Sequence, residues 1–138
     1  MPYSLLLLVY RKPGLTPEEF KIHYETVHIP LMQRIACEKF PLTHTRRYIN
    51  RTVDTEKTAY PATVVSGTQA DFPYDAVAEL TFADEAACHA SFAVMNSAEN
   101  APLVAEDCAK FMDTAKMTPM VLLDDCVETR RGGGNCMS

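Results

Sequence analysis

The sequence predicts an α+β fold whose elements follow the order β-α-β-β-α-β. Three observations carry this: a continuous apolar run near the N-terminus, a helix start with its capping signals in place, and period-two alternation in later segments. The apolar run is YSLLLLVYRK (3–12), bounded by Pro2 and by Pro13-Gly14. Its length fits a strand, and its lack of alternation predicts that both faces are buried.

LTPEEF then opens a helix. Thr16 can cap, Pro17 takes the first helical position, and Glu19 completes a capping box while favouring the positive helix end. Phe20, Tyr24, Val27, Leu31 and Ile35 recur at three and four residues, which predicts one apolar stripe. Pro30 has no N–H and disfavours helical geometry at Ile29, so a kink or restart is expected there. LTHTRRYIN (42–50) alternates and reads as the second strand. Residues 52–72 are polar and punctuated by Pro61 and Gly67, with one β-like run, ATVVS; connections this long commonly form lids or binding loops. YDAVAELTF (74–82) is the third strand, and Asp84 can cap the helix EAACHASFAVM. A further helix in NSAENAPLVAEDCAKFMD has Leu103, Cys108, Phe111 and Met112 on its apolar side. MTPMVLLDDCVET gives the last strand, and RRGGGNCMS (130–138) is a loose tail after a single domain spanning 1–129.

This order is that of a ferredoxin-like domain: a four-stranded antiparallel sheet with helices on one face. The other face is left bare although the first strand is apolar on both sides. The simplest cover is a second copy packed sheet to sheet about a two-fold axis, so a homodimer is expected.

Composition narrows the function classes. A chain of 138 residues, 47% apolar and 22% charged, fits one globular domain that buries a sizeable core. The net charge of -5 comes without a basic stripe, which argues against nucleic acid as partner; Arg46, Arg47 and Arg51 suffice for one organic carboxylate. Five widely spaced cysteines with no C-x-x-C argue against a disulfide framework or zinc knuckle. They fit buried thiols in a reducing compartment. No apolar run approaches a membrane span, so a cytoplasmic protein is expected.

RKPGLTPEEFKIHYETVHIPLM (11–32) resembles the N-terminal signature of the EthD family of dimeric α+β barrels. In that signature a basic strand end, a Pro-Gly turn, a capped helix with an aromatic and a His-x-Pro-Leu exit follow in this order. RRYIN (46–50) is similar to the family's second-strand motif, and AEDCAKFMD (105–113) to its last-helix pattern. The likeness covers most of 3–125; the 52–72 insert departs from it. With its short length, the chain resembles the small members of fungal aromatic polyketide pathways. The resemblance implies cofactor-free chemistry on polyphenolic ketones, notably decarboxylation of an anthrone-type carboxylic acid. The superfamily also holds cyclases, dehydratases and oxygenases.

Such a decarboxylation needs a general acid active near neutral pH, a donor to the developing oxyanion and an apolar cavity. Histidine suits the first role and Tyr or Arg the second. His28 occupies the family's His-x-Pro position and lies beside Tyr24 on a 3.6-residue wheel; its alternative role is to close the helix end. His23, five residues from His28, falls about 140° away on an ideal helix, which argues against a shared face and against a metal pair. His44, Arg46 and Tyr48 alternate, so they project from one face of their strand. They line the same cavity as His28 if that face looks toward the helices. The acid/base candidates are thus His28, His44 and Tyr48. Tyr24, Arg46, His89, Tyr10, Phe20 and Phe92 are candidates to orient or contact substrate, with Phe20 and Phe92 equally readable as core. No cofactor or metal is required. Dehydration or aldol cyclisation on a similar polyketide would use the same residues. A non-catalytic dimer that shields an intermediate for a partner oxygenase is the remaining alternative.

Overall fold

The computed structural model describes residues 1–53, 59–123 and 126–132. Four strands, β1 (Tyr3–Val9), β2 (Thr43–Tyr48), β3 (Ala76–Phe82) and β4 (Thr118–Val121), form one antiparallel sheet in the order β2-β3-β1-β4. Helices α1 (Pro17–His23) and α2 (Ile29–Ala36) connect β1 to β2. Helices α3 (Glu85–Met95) and α4 (Ala101–Phe111) connect β3 to β4. The architecture is the expected ferredoxin-like α+β fold. No helix among the described residues is long and apolar enough to cross a membrane.

Register settles which side chains meet the helices. Tyr3, Leu5, Leu7 and Val9 pair with Phe82, Leu80, Ala78 and Ala76, and these positions feed the two core clusters beneath the helices. His44, Arg46 and Tyr48 pair with Leu80, Ala78 and Ala76, so they share that face. Ser4, Leu6 and Leu8 take the opposite face with Val77, Glu79 and Thr81. The last strand is shorter than its apolar run predicts. It ends at Val121, where its pairing with Leu5 ends, and Leu123 is exposed.

The capping box forms as the sequence dictates: Thr16 Oγ1 accepts from Glu19 N at 3.0 Å, and Glu19 Oε1 accepts from Thr16 N at 3.1 Å. Beyond it the helix departs from its predicted course. Tyr24–His28 form a π turn, with the Ile29 N–H bonded to the Tyr24 carbonyl, five residues back. The wider turn accommodates Pro30 without ending the helix, and α2 resumes at once. It also accommodates one extra residue, which slips the helix phase by roughly 100°. The buried stripe therefore continues through His28, Met32 and Ala36 rather than Val27, Leu31 and Ile35. Val27 is 43% exposed.

Other expectations are also corrected. In α4, Leu103 points outward while Asp107 and Phe111 are buried, and Met112 follows the helix as a bridge partner of Arg11. Of the cysteines described, Cys88 is buried and Cys108 half-buried, but Cys37 and Cys126 are exposed. In the long β2–β3 connection, ATVVS contributes a single bridge, Ala62 to Arg51. That connection is tied down by Arg51. Its guanidinium bonds Asp75 at 2.7 Å and the carbonyls of Tyr60, Phe72 and Tyr74 at 3.0, 2.8 and 2.7 Å. Asp75, itself buried, also accepts from Arg11 Nε at 3.2 Å. Residues 54–58 of the expected lid and 133–138 of the expected tail lie outside the described residues.

Candidate functional site

The slipped helix phase reorganises the histidines. His28 Nδ1 is 2.7 Å from Asp107 Oδ2, and His23 Nε2 is 2.9 Å from Asp107 Oδ1. The two imidazoles thus share one buried carboxylate. Subtracting the roughly 100° slip from the wheel separation leaves only about 40° between them, so the prediction that His23 turns away fails for that reason. Phe111, one turn along α4, stacks on the His23 ring at 4.8 Å and packs against His28 at 4.8 Å. A carboxylate accepts, so the protons of this cluster lie on His28 Nδ1 and His23 Nε2. That leaves Nε2 of His28 as its basic nitrogen, with no bond to the described residues and not sealed from solvent.

His28 lines a cavity of about 310 Å³ between the sheet and the helices. Tyr24 and His44 join it there, their side chains bonded at 3.3 Å between the Tyr24 hydroxyl and His44 Nε2. Leu7, Val9, Leu80, Phe82 and Phe92 supply apolar walls, with Met32, Met95, Met112 and Met117 as adaptable ones. Among the described residues none that line it is Lys, Arg, Asp or Glu. Burial dominates its electrostatics. It depresses His28, against the opposing pull of Asp107, and with the Arg46 cation it lowers His44 to about 4. It raises the Tyr24 phenol well above its usual range and pushes the Cys108 thiol up to about 11. At neutral pH the cavity therefore presents two uncharged imidazoles, a phenol and a thiol.

Arg46 does not enter this cavity. Its Nε and Nη2 grip both oxygens of Glu25 at 2.7 and 2.8 Å, and Nη1 donates to the His44 carbonyl at 2.8 Å. The Tyr48 hydroxyl donates to the same carboxylate at 2.5 Å. Hydrogen bonds from Arg46, and then from Tyr48, lower Glu25 to about 2 against its burial. Burial and Glu25 raise Tyr48 far above its ordinary value. Tyr48 and Phe20 line a second cavity of about 460 Å³ on the other side of this network, beside Glu25 and Lys21. Phe20 is also core, 1% exposed.

The remaining candidates lie apart. Tyr10 packs edge-on against Tyr74 and does not line the histidine cavity. His89 projects into solvent, its side chain 69% exposed beside Glu85 at 3.6 Å. An alanine-rich helix gives no reason for inward placement of that ring. Of the predicted set, the structure brings together His28, His44, Tyr24 and Phe92. Asp107, the second of the acidic pair in AEDCAKFMD, has no site role in the sequence because acids on an amphipathic helix are ordinary. Its signal was position, four residues before Phe111 and so on the same buried face.

The depressed histidines give acid sensitivity. Because His44 falls to about 4 in the folded state, the unfolded chain binds more protons between pH 6.5 and about 4. The stability associated with neutral His44 is complete above pH 6.5 and is lost as pH falls through that window; His28 acts with the same sign. The Glu25 contribution survives to lower pH, fading from 4.5 toward 2. Urea unfolding at pH 7 and 4.5 should show wild type losing more stability than His44→Asn. Equal losses would mean that the fold does not hold His44 neutral.

Comparison with known proteins agrees with this architecture. Residues 12–115 match the EthD domain. An EthD family protein from Bacillus halodurans superposes with a TM-score of 0.56 at 17% identity, over 91% of this chain and 100% of its own. An EthD-like protein from Ralstonia eutropha gives 0.51 at 13%, over 94% and 96%. A protein from Arabidopsis thaliana gives 0.50 at 13%, over 92% and 99%. At these identities the structures speak to fold. No curated protein matches the chain. The matched segment spans the histidine helices, β2, β3 and Asp107, about three quarters of the chain, and on that ground the chain belongs to the EthD domain family.

Proposed function

We propose that the protein is a cofactor-independent carbon–carbon lyase that decarboxylates a polycyclic aromatic acid of the anthrone type in polyketide biosynthesis. The observation that carries this reading is His28, with Asp107 behind Nδ1 and its Nε2 free at an apolar cavity. As the C–C bond to the carboxylate breaks, its electron pair moves into the neighbouring carbonyl, which becomes an enolate. Tyr24, kept protonated by burial, and His44 are the donors near that oxygen. His28, having taken up a proton from solvent on Nε2, then delivers it to the carbanion carbon, and Asp107 steadies the transient imidazolium. The apolar walls favour a transition state less concentrated in charge than the carboxylate. Arg46 and Tyr48 act through Glu25, holding β2 and the π turn together rather than touching substrate.

The purified protein, incubated without metal or cofactor with an anthrone carboxylic acid, should release carbon dioxide above background. His28→Ala should lower turnover by roughly 10²- to 10⁴-fold while circular dichroism stays that of wild type. Loss of water instead would make it a dehydratase, and binding without turnover an accessory protein; either outcome rejects the lyase.

The same reading includes a homodimer formed through the bare sheet face. Leu6, Leu8 and Val77 on that face are only half-buried, and Met120, beside Leu6, is 46% exposed. Apolar side chains on an uncovered sheet favour a partner. Sedimentation equilibrium should give a dimer that Leu6→Glu converts to monomer. A monomeric wild type at micromolar concentration would remove this part of the proposal.

A further inference from the structure

The histidine cavity poses a charge problem for any carboxylate. Its described lining includes no Lys or Arg, and the guanidinium of Arg46, bonded to the His44 carbonyl, is held by both oxygens of Glu25. An aromatic acid is ionised at neutral pH, and an anion moved into such a space without a counter-charge is strongly disfavoured. We infer that the cavity binds an aromatic carboxylate together with one proton, which is taken up from solvent by His28 and neutralises the ligand. This inference rests on the lyase reading of the same cavity and adds its proton inventory.

The surroundings of each ring select His28 over His44. Facing His28 are Asp107 and Cys108 from α4, His23 from α1, Tyr24 from the π turn, and His44 and Arg46 from β2. Asp107 is the only carboxylate among these, and its oxygen at 2.7 Å secures the imidazolium from the Nδ1 side. His44 has a neutral phenol on Nε2 and the Arg46 cation close by, bonded to its own carbonyl, and that cation outweighs the opposing pull of Glu25. In the empty cavity burial keeps both rings neutral, so the proton must arrive with the anion.

The stoichiometry closes over a turnover. Carboxylate and proton enter; the C–C bond breaks, carbon dioxide leaves, and the electron pair on carbon takes the His28 Nε2 proton to form a C–H bond. The ketone product and the regenerated neutral imidazole carry no charge. Product then has no electrostatic hold on the site, and His28 needs no separate reprotonation step before the next anion arrives.

The test uses anthraquinone-2-carboxylate, which lacks the ketone placement for decarboxylation, and its carboxamide. Calorimetric titrations at pH 7.5 in two buffers of different ionisation enthalpy count the protons. The carboxylate should take up about one proton and the carboxamide none, and the carboxylate Kd should rise about tenfold per pH unit above 6.5. Asp107→Asn should weaken the carboxylate at least about tenfold and leave the carboxamide nearly unchanged. Carboxylate binding with no proton uptake and a flat pH profile overturns the inference and leaves the cavity as the site. If neither probe binds, the lyase reading of the cavity falls with it.

Discussion

The shared carboxylate of Asp107 depends on a single added residue in the helix before it. A regular α-helix through Tyr24–His28 would direct Val27 at the sheet and turn His28 aside. The π turn rotates everything that follows, so that His28, Met32 and Ala36 face inward and His23 and His28 reach opposite oxygens of one acid. Pro30 makes the arrangement natural at this point. Its missing N–H removes the hydrogen bond that would otherwise favour ordinary pitch. Irregular turns of this kind weaken backbone bonding and persist where packing compensates. Here the compensation comes from Tyr24, 2% exposed, and from Phe111, which touches both imidazoles.

Two polar networks then divide the space between helices and sheet. On one side Glu25 binds Arg46 and Tyr48 and neutralises the guanidinium beside the cavity. On the other, Asp107 holds the histidines. Tyr24 lies between them, its ring 5.8 Å from the Arg46 guanidinium and its hydroxyl on His44. The consequence is a cavity whose polar groups are all uncharged at neutral pH although strongly charged pairs flank it. Low polarity raises the cost of an anionic ground state and magnifies any proton placed on a ring. The network on Arg51 and Asp75 does comparable structural service at the far end of the sheet, fastening the long connection without entering the site.

Much of this was legible from residues alone. The capping box, the Asp84 cap and the shared face of His44, Arg46 and Tyr48 follow from local chemistry and from a period of two, which admits no gradual drift; which way that face looks does not. The element order gave the sheet its topology. The helix wheel failed at one place because it assumes a constant pitch, and that failure moved His23 and Val27 to the wrong sides. The pairing of Arg46 with Glu25 joins residues 21 apart, and that of His28 with Asp107 residues 79 apart. No local pattern encodes such partners. From local sequence Arg46 is therefore expected to be free to hold a substrate, whereas its charge is engaged by Glu25.

Asp107 fixes the His28 proton on Nδ1 and leaves Nε2 as an uncharged base at the cavity. Nitrogen-15 NMR of the histidine rings at pH 7.5 measures this directly. The His28 ring should show a protonated Nδ1 and a Nε2 shift of the unprotonated type, with loss of that preference in Asp107→Asn. A His28 that carries its proton on Nε2, or is cationic in the empty protein, would contradict it.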